Sequence, residues 1–231
     1  YRLSLVDLNE PKSQNTHLHL LEAYLNLLRV FPTDEVRAAL RRVLDLMLER
    51  VMDPATGHLG LFFAEDWSRR SDQVSYGHDI EASWLMSRAA QALGEPGLRG
   101  RVEALAVRIA EATLAEGMDA DGGIYNGGGP SGPTDTNKEW WPQAEAMVGF
   151  INAFQLSERE QFLRAAGRSW DFIERRLIDR RRGEWIRGVN RAGQPLAGQA
   201  KIGFWKCPYH NTRAALEVEA RLGGDFRPDQ P

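Results

Sequence analysis

The chain has 231 residues, 42% of them hydrophobic and 26% charged, with a formal net charge of −3. Those values describe one globular domain spanning 1–231, with no charge excess to hold a nucleic acid or a membrane surface. No apolar run approaches membrane-spanning length, and a single cysteine, Cys207, excludes an internal disulfide and favours a cytoplasmic location.

The chain opens at Tyr1 in what reads as the tail of a loop or hairpin. The first helix spans 15–30, with Leu18, Leu21, Leu25 and Leu28 at helical spacing and Asn15 as its N-cap. A second spans 34–52, capped by Thr33 and stopped by Asp53-Pro54. Further helices fit 77–93, 97–117, 138–156, 158–177 and 209–222, punctuated by Gly94, Pro96, Gly117 and Gly183. Short links alternate with long ones that contain strand-like pieces at His58–Phe63, Gly123–Asn126 and Glu184–Val189. His58 reads as a loop residue, and 127–133, Gly-Gly-Gly-Pro-Ser-Gly-Pro, as a flexible rim loop without the ending of a phosphate-binding loop. The arginines at 175–176 and 180–182 are interspersed with Glu174, Asp179 and Glu184, which reads as a solvated helix end. Helices preceded by long links start near 15, 77, 138 and 208, a recurrence of roughly 60–70 residues, longer than most known repeat periods. The pattern predicts an all-α toroid of helix–hairpin–helix units, with an α/α solenoid as the alternative.

Three histidines stand near the starts of those helices: His19, His78 and His210. Histidine is the side chain best matched to acid–base work near neutral pH. His19 and Glu22 are three residues apart, as are His78 and Glu81, so each pair shares a helix face. A carboxylate there can fix the imidazole tautomer, although a capped, exposed helix start explains either pair equally well. His17 and His19 point roughly 200° apart on a helix, so they cannot share a metal ion. Trp140, Trp141 and Trp205 lie at loop-to-helix junctions, where core packing and stacking on a pyranose compete. Cys207 reads as a small packing residue rather than a thiol nucleophile.

Four blocks, in order and spanning most of the chain, carry a resemblance. They are 15–23 (NTHLHLLEA), 75–84 (SYGHDIEASW), 139–147 (EWWPQAEAM) and 205–211 (WKCPYHN). Together they resemble the N-acylglucosamine 2-epimerase superfamily, most of all its cellobiose 2-epimerase branch. The resemblance implies an (α/α)6 barrel. About seven of its helices, with short β-hairpin loops, would lie here as the C-terminal portion of a longer chain. The arginine that the family carries on an early helix matches no position of this sequence.

By the same resemblance, His78 and His210 are the acid–base pair for epimerisation at C2 of a reducing sugar. His19 assists ring opening, Asn15 contacts sugar oxygens, and Glu81 is the carboxylate partner on the His78 helix. Trp140, Trp141 and Trp205 stack on the sugar units. The implied partner is a disaccharide or monosaccharide. No cofactor and no metal are required, because the aldehyde itself accepts the electrons. Competing readings are an N-acylglucosamine 2-epimerase or an aldose–ketose isomerase, and, from another class, a carbohydrate-binding toroid or an inactive fragment. The sequence leaves the oligomeric state open.

Overall fold

The computed structural model describes residues 12–223, and the loop or hairpin tail expected at Tyr1 lies outside them. Seven α-helices run through these residues: α1 Gln14–Val30, α2 Asp34–Leu46, α3 Tyr76–Leu93, α4 Pro96–Ala112, α5 Trp140–Ser157, α6 Glu160–Arg176 and α7 Tyr209–Leu222. Short antiparallel pairs tie the links together: β1 Lys12–Ser13 with β4 Phe62–Phe63, and β2 Met52–Asp53 with β3 His58–Leu59. The others are β5 Gly127–Gly129 with β6 Gly132–Asp135, and β7 Lys138–Glu139 with β8 Gly188–Val189. Among the described residues no helix is long and apolar enough to cross a membrane.

The helix boundaries follow local chemistry. Ser13, not Asn15, caps α1: its backbone is extended and its Oγ accepts the Thr16 N–H. Asn15 therefore sits inside the first turn with its side chain free for another task. Thr33 caps α2 as expected, accepting from the Val36 N–H. The expected helices 34–52 and 97–117 both end in a wider π turn, at Met47–Val51 and Thr113–Gly117. Helix α5 begins two residues later than predicted because Lys138 and Glu139 are held in a strand pair with β8. Gly94 takes the left-handed conformation that ends α3. The glycine-rich segment at 127–133 is a hairpin rather than a plain loop.

Packing sorts the helices into two rows. Leu18, Leu21, Leu25 and Leu28 are buried along one face of α1, as their spacing predicted, each contributing about 2 kcal/mol. Helices α2 and α6 bury one stripe each. Helices α3 and α5 are buried almost all round, because each packs against neighbours on both sides and against an outer helix. Helices α1, α3, α5 and α7 thus form an inner row backed by α2, α4 and α6. Gly149 permits the close approach of α5 to α3, since a Cβ there would lie 2.5 Å from the Ile80 side chain.

The long links repeat one geometry. Just before α1, α3 and α5, the chain pairs with the link lying one helix pair further on: Lys12 with Phe63, Val74 with Gly128, Lys138 with Val189. These tethers bring the starts of the inner helices to one rim. His58, read from sequence as a loop residue, is buried and works as one of the ties. Its Nδ1 lies 2.8 Å from Asp79 Oδ2, while the Leu59 N–H donates to Asp79 Oδ1 and Glu116 Oε2 faces its Nε2 at 3.2 Å. Cys207 is exposed rather than packed, because it stands in the loop leading to α7.

Candidate active site

A cavity of about 560 Å3 opens at this rim, lined by Asn15, His19, His78, Trp141, Trp205 and His210 among others. Every one of these side chains except Trp205 comes from the first two turns of an inner helix. The cavity therefore faces four helix N-termini, whose partial positive charge favours an anion over a cation. Three of the histidines singled out in the sequence line it together. His17 instead places its Nδ1 2.7 Å from the Ser13 carbonyl oxygen and its ring beside Trp67.

His78 sits in the first turn of α3, where its N–H donates to the capping Ser75 Oγ. Its ring is held between amides of α1: Asn15 Nδ2 lies 2.8 Å from Nε2 and Gln14 Nε2 lies 3.3 Å from Nδ1. Trp141 covers it with ring centroids 4.6 Å apart. Gly77 allows that contact, since a Cβ there would lie 2.5 Å from the Trp141 ring. Burial, followed by the nearby cationic forms of His19 and His210, pushes the His78 pKa down to about 3. The ring is a neutral imidazole at ordinary pH.

His210 has the opposite surroundings. Its Nδ1 donates to Glu145 Oε1 at 2.7 Å, and Glu81 Oε1 lies 3.9 Å away. Trp141 contacts this ring too, at 5.5 Å between centroids. Glu81 is therefore not the partner of the histidine on its own helix, as expected from its spacing. It is fully buried and faces His210 and Arg213 instead.

Arg213, one turn beyond His210, binds the carboxylates together. Its Nη1 lies 2.5 Å from Glu22 Oε1, and its Nη2 contacts Glu145 at 2.7 Å and Glu81. Its plane lies over Trp84 at 5.0 Å and Tyr209 at 4.6 Å. Glu81, Glu145 and His210 have the residue types of a metal site, but the guanidinium already stands between the two carboxylates. Burial and the adjacent Glu145 charge hold Glu81 above the usual carboxylate range. Burial opposes ionisation of Glu145 as well, yet Arg213 and His210 together hold it below that range. His19 is raised from its ordinary value, chiefly by its hydrogen bond to Glu22, whose Oε2 lies 3.4 Å from Nδ1.

The tryptophans divide. Trp141 is the floor shared by His78 and His210. Trp140 is buried, with Lys206 Nζ 5.0 Å and Arg187 5.4 Å from its ring, and is chiefly a core residue whose edge reaches the cavity. Trp205 is 59% exposed at the mouth. Its loop is pinned by the fully buried Lys206, whose Nζ lies 3.0 Å from Glu184. Sequence reading missed Gln14, Glu145 and Arg213. Arg213 stands three residues after His210, which repeats the spacing of the histidine pairs, whereas Glu145 carries no such signal.

The sequence pattern of the N-acylglucosamine 2-epimerase (GlcNAc 2-epimerase) family matches residues 5–214. The chain belongs to this family. It is 43% identical over 218 residues to cellobiose 2-epimerase of Bacteroides fragilis, covering 94% of this chain and 55% of that protein. It is 38% identical over 212 residues to cellobiose 2-epimerase of Dictyoglomus turgidum, covering 91% and 54%. Among solved structures, a sugar epimerase from a ruminal bacterium superposes with a TM-score of 0.89 at 37% identity, over 94% of this chain and 56% of the other. Cellobiose 2-epimerase from Bacillus thermoamylovorans gives 0.87 at 37% identity, over 95% and 56%. The fold is thus that of the family's (α/α)6 toroid, and the chain spans about half the length of the relatives it matches.

Proposed function

We propose that this cavity epimerises C2 of the reducing-end glucose of a β-1,4-linked disaccharide such as cellobiose. The observation that carries the reading is the pair His78 and His210, brought from α3 and α7 into one cavity where both rings contact Trp141. Each keeps its Nε2 for the cavity: Nδ1 of His210 is committed to Glu145, and His78 meets the cavity residue Asn15 through Nε2.

The chemistry follows from the acidity of a proton beside an aldehyde. His19, kept in its cationic form to higher pH by Glu22, helps the pyranose open. Neutral His78 removes the C2 proton, and the electron pair left at C2 moves onto the aldehyde oxygen to give an enediolate. The helix N-termini around the cavity favour that negative charge. Rotation about C2–C3 presents the other face, and His210, oriented by Glu145, returns a proton to C2. The reverse reaction exchanges the two roles. Trp205, exposed at the mouth, offers its flat face to the second sugar. The two buried carboxylates Glu81 and Glu145 are engaged by Arg213 and His210 rather than free to flank a glycosidic bond for hydrolysis.

The test is incubation with cellobiose in heavy water, followed by NMR. Deuterium at C2 together with the glucosyl-mannose epimer is the expected result. Running mannose and N-acetylglucosamine in parallel reads the preference for a second sugar, and absence of exchange from all three overturns the reading.

A further inference from the structure

Gln14 contacts His78 but has no place in that scheme. It is buried to 2% exposure, does not line the cavity, and is the only side chain among the described residues within hydrogen-bonding distance of His78 Nδ1. Its Oε1 is a buried acceptor with no hydrogen-bond partner there. A neutral imidazole carries one proton on its two nitrogens, and here an amide faces each of them. One of the two amides must therefore present its oxygen. If Asn15 did so, the proton would sit on Nε2, the nitrogen that faces the cavity, and His78 could take nothing from a substrate. If Gln14 does so, its amide is turned over so that the oxygen takes the nitrogen's place 3.3 Å from Nδ1 and accepts Nδ1–H, and the Nε2 lone pair meets only the Asn15 NH2, which a substrate can displace.

We propose that Gln14 is a positioning residue that holds the proton of His78 on Nδ1 and so reserves Nε2 as the base. The inference rests on His78 being the acid–base group of the proposed function, but its direct readout does not. The titratable and charged groups that face His78 are His19 of α1, His210 of α7 and Glu145 of α5. None of them is altered by a change at Gln14. A methionine at this position keeps the volume and loses the acceptor, whereas a glutamate keeps the acceptor and adds charge.

The experiment is 15N NMR of the histidine rings in the chain labelled at histidine, with His78 assigned by its loss in His78→Gln. The expected spectrum shows neutral His78 protonated on Nδ1, and Gln14→Met moves the proton partly or wholly to Nε2. Gln14→Glu restores the Nδ1–H form and moves the onset of His78 protonation to higher pH. The C2 exchange rate in heavy water should fall about 10-fold or more in Gln14→Met, through kcat rather than KM, and recover in Gln14→Glu. Nε2–H in the unmodified chain, or a tautomer unmoved by Gln14→Met, overturns the proposal. A tautomer that responds as expected in a chain with no exchange activity would leave the Gln14 assignment standing and reject the epimerase reading instead.

Discussion

His78 and His210 touch the same tryptophan yet live in opposite environments. The His78 ring nitrogens meet neutral amides, and packing keeps the ring uncharged. His210 donates to a carboxylate of a cluster in which the partly buried Arg213 joins two fully buried glutamates. An amide cage leaves the imidazole neutral, with a lone pair on one ring nitrogen. A carboxylate fixes the orientation of the imidazole through its Nδ1–H. The difference teaches how one residue type can be set in two electrostatic environments by its neighbours rather than by the ring.

The sharpest way to break the comparison is to remove either ring. His78→Ala and His210→Ala should each lower C2 deuterium exchange by roughly 10²–10⁴-fold with an unchanged circular dichroism spectrum. Wild-type exchange in either variant would sink the assignment. Converting the His210 environment toward that of His78 comes next. Glu145→Gln keeps an acceptor for Nδ1 but removes the charge, and exchange should fall by about 10²-fold through kcat. Its thermal stability should fall too, by about 1–3 kcal/mol, because Trp84 Nε1–H and Arg213 lose a charged partner. Equal kcat in the variant would show that the carboxylate cage is merely structural.

Legibility in the sequence followed the same division. The helices were readable because Leu18 to Leu28 repeat at helical spacing, and the rim was readable because four motif blocks all stand at helix starts. The resemblance supplied the toroid and pointed to His19, His78 and His210, which do converge on one cavity. Contacts across helices were not readable. Nothing local says that Glu81 turns away from His78, that Arg213 of α7 reaches Glu22 of α1, or that buried Gln14 faces His78. Asn15 looked like a cap because the true cap, Ser13, lies in a two-residue strand whose partner is some fifty residues further along the chain. His58 looked like a loop residue because its partner Asp79 lies in the next helix.

The shared floor offers a third test. Gly77→Ala drives a methyl group into the Trp141 ring, so overpacking should cost about 1–3 kcal/mol in a denaturant melt. If Trp141 orients both rings, His78 and His210 resonances should move together. A shift confined to His78 would instead mean that the two environments are independent.

The smallest effect concerns Glu22, whose charge serves Arg213, Tyr209 and His19 at once. Burial raises its pKa, but the bond to His19 and the Arg213 charge outweigh this and hold it at about 2. A depressed carboxylate contributes stability above its unfolded value near 4.5, and that contribution is lost as pH falls toward 2. The size of the depression sets a ceiling of about 3 kcal/mol, reduced to about 1–2 kcal/mol by water at the rim. His19, raised from its ordinary value, works in the other direction: its contribution is present below pH 6.5 and fades as pH rises through its folded value. Glu22→Gln should therefore flatten the stability profile between pH 4.5 and 2 and lower the His19 titration midpoint, both measurable by melts and NMR titration. His78 should stay unprotonated across the same range above pH 4, since its amide cage does not include Glu22. A His78 titration that follows the Glu22 substitution would mean that the two cages are electrostatically one.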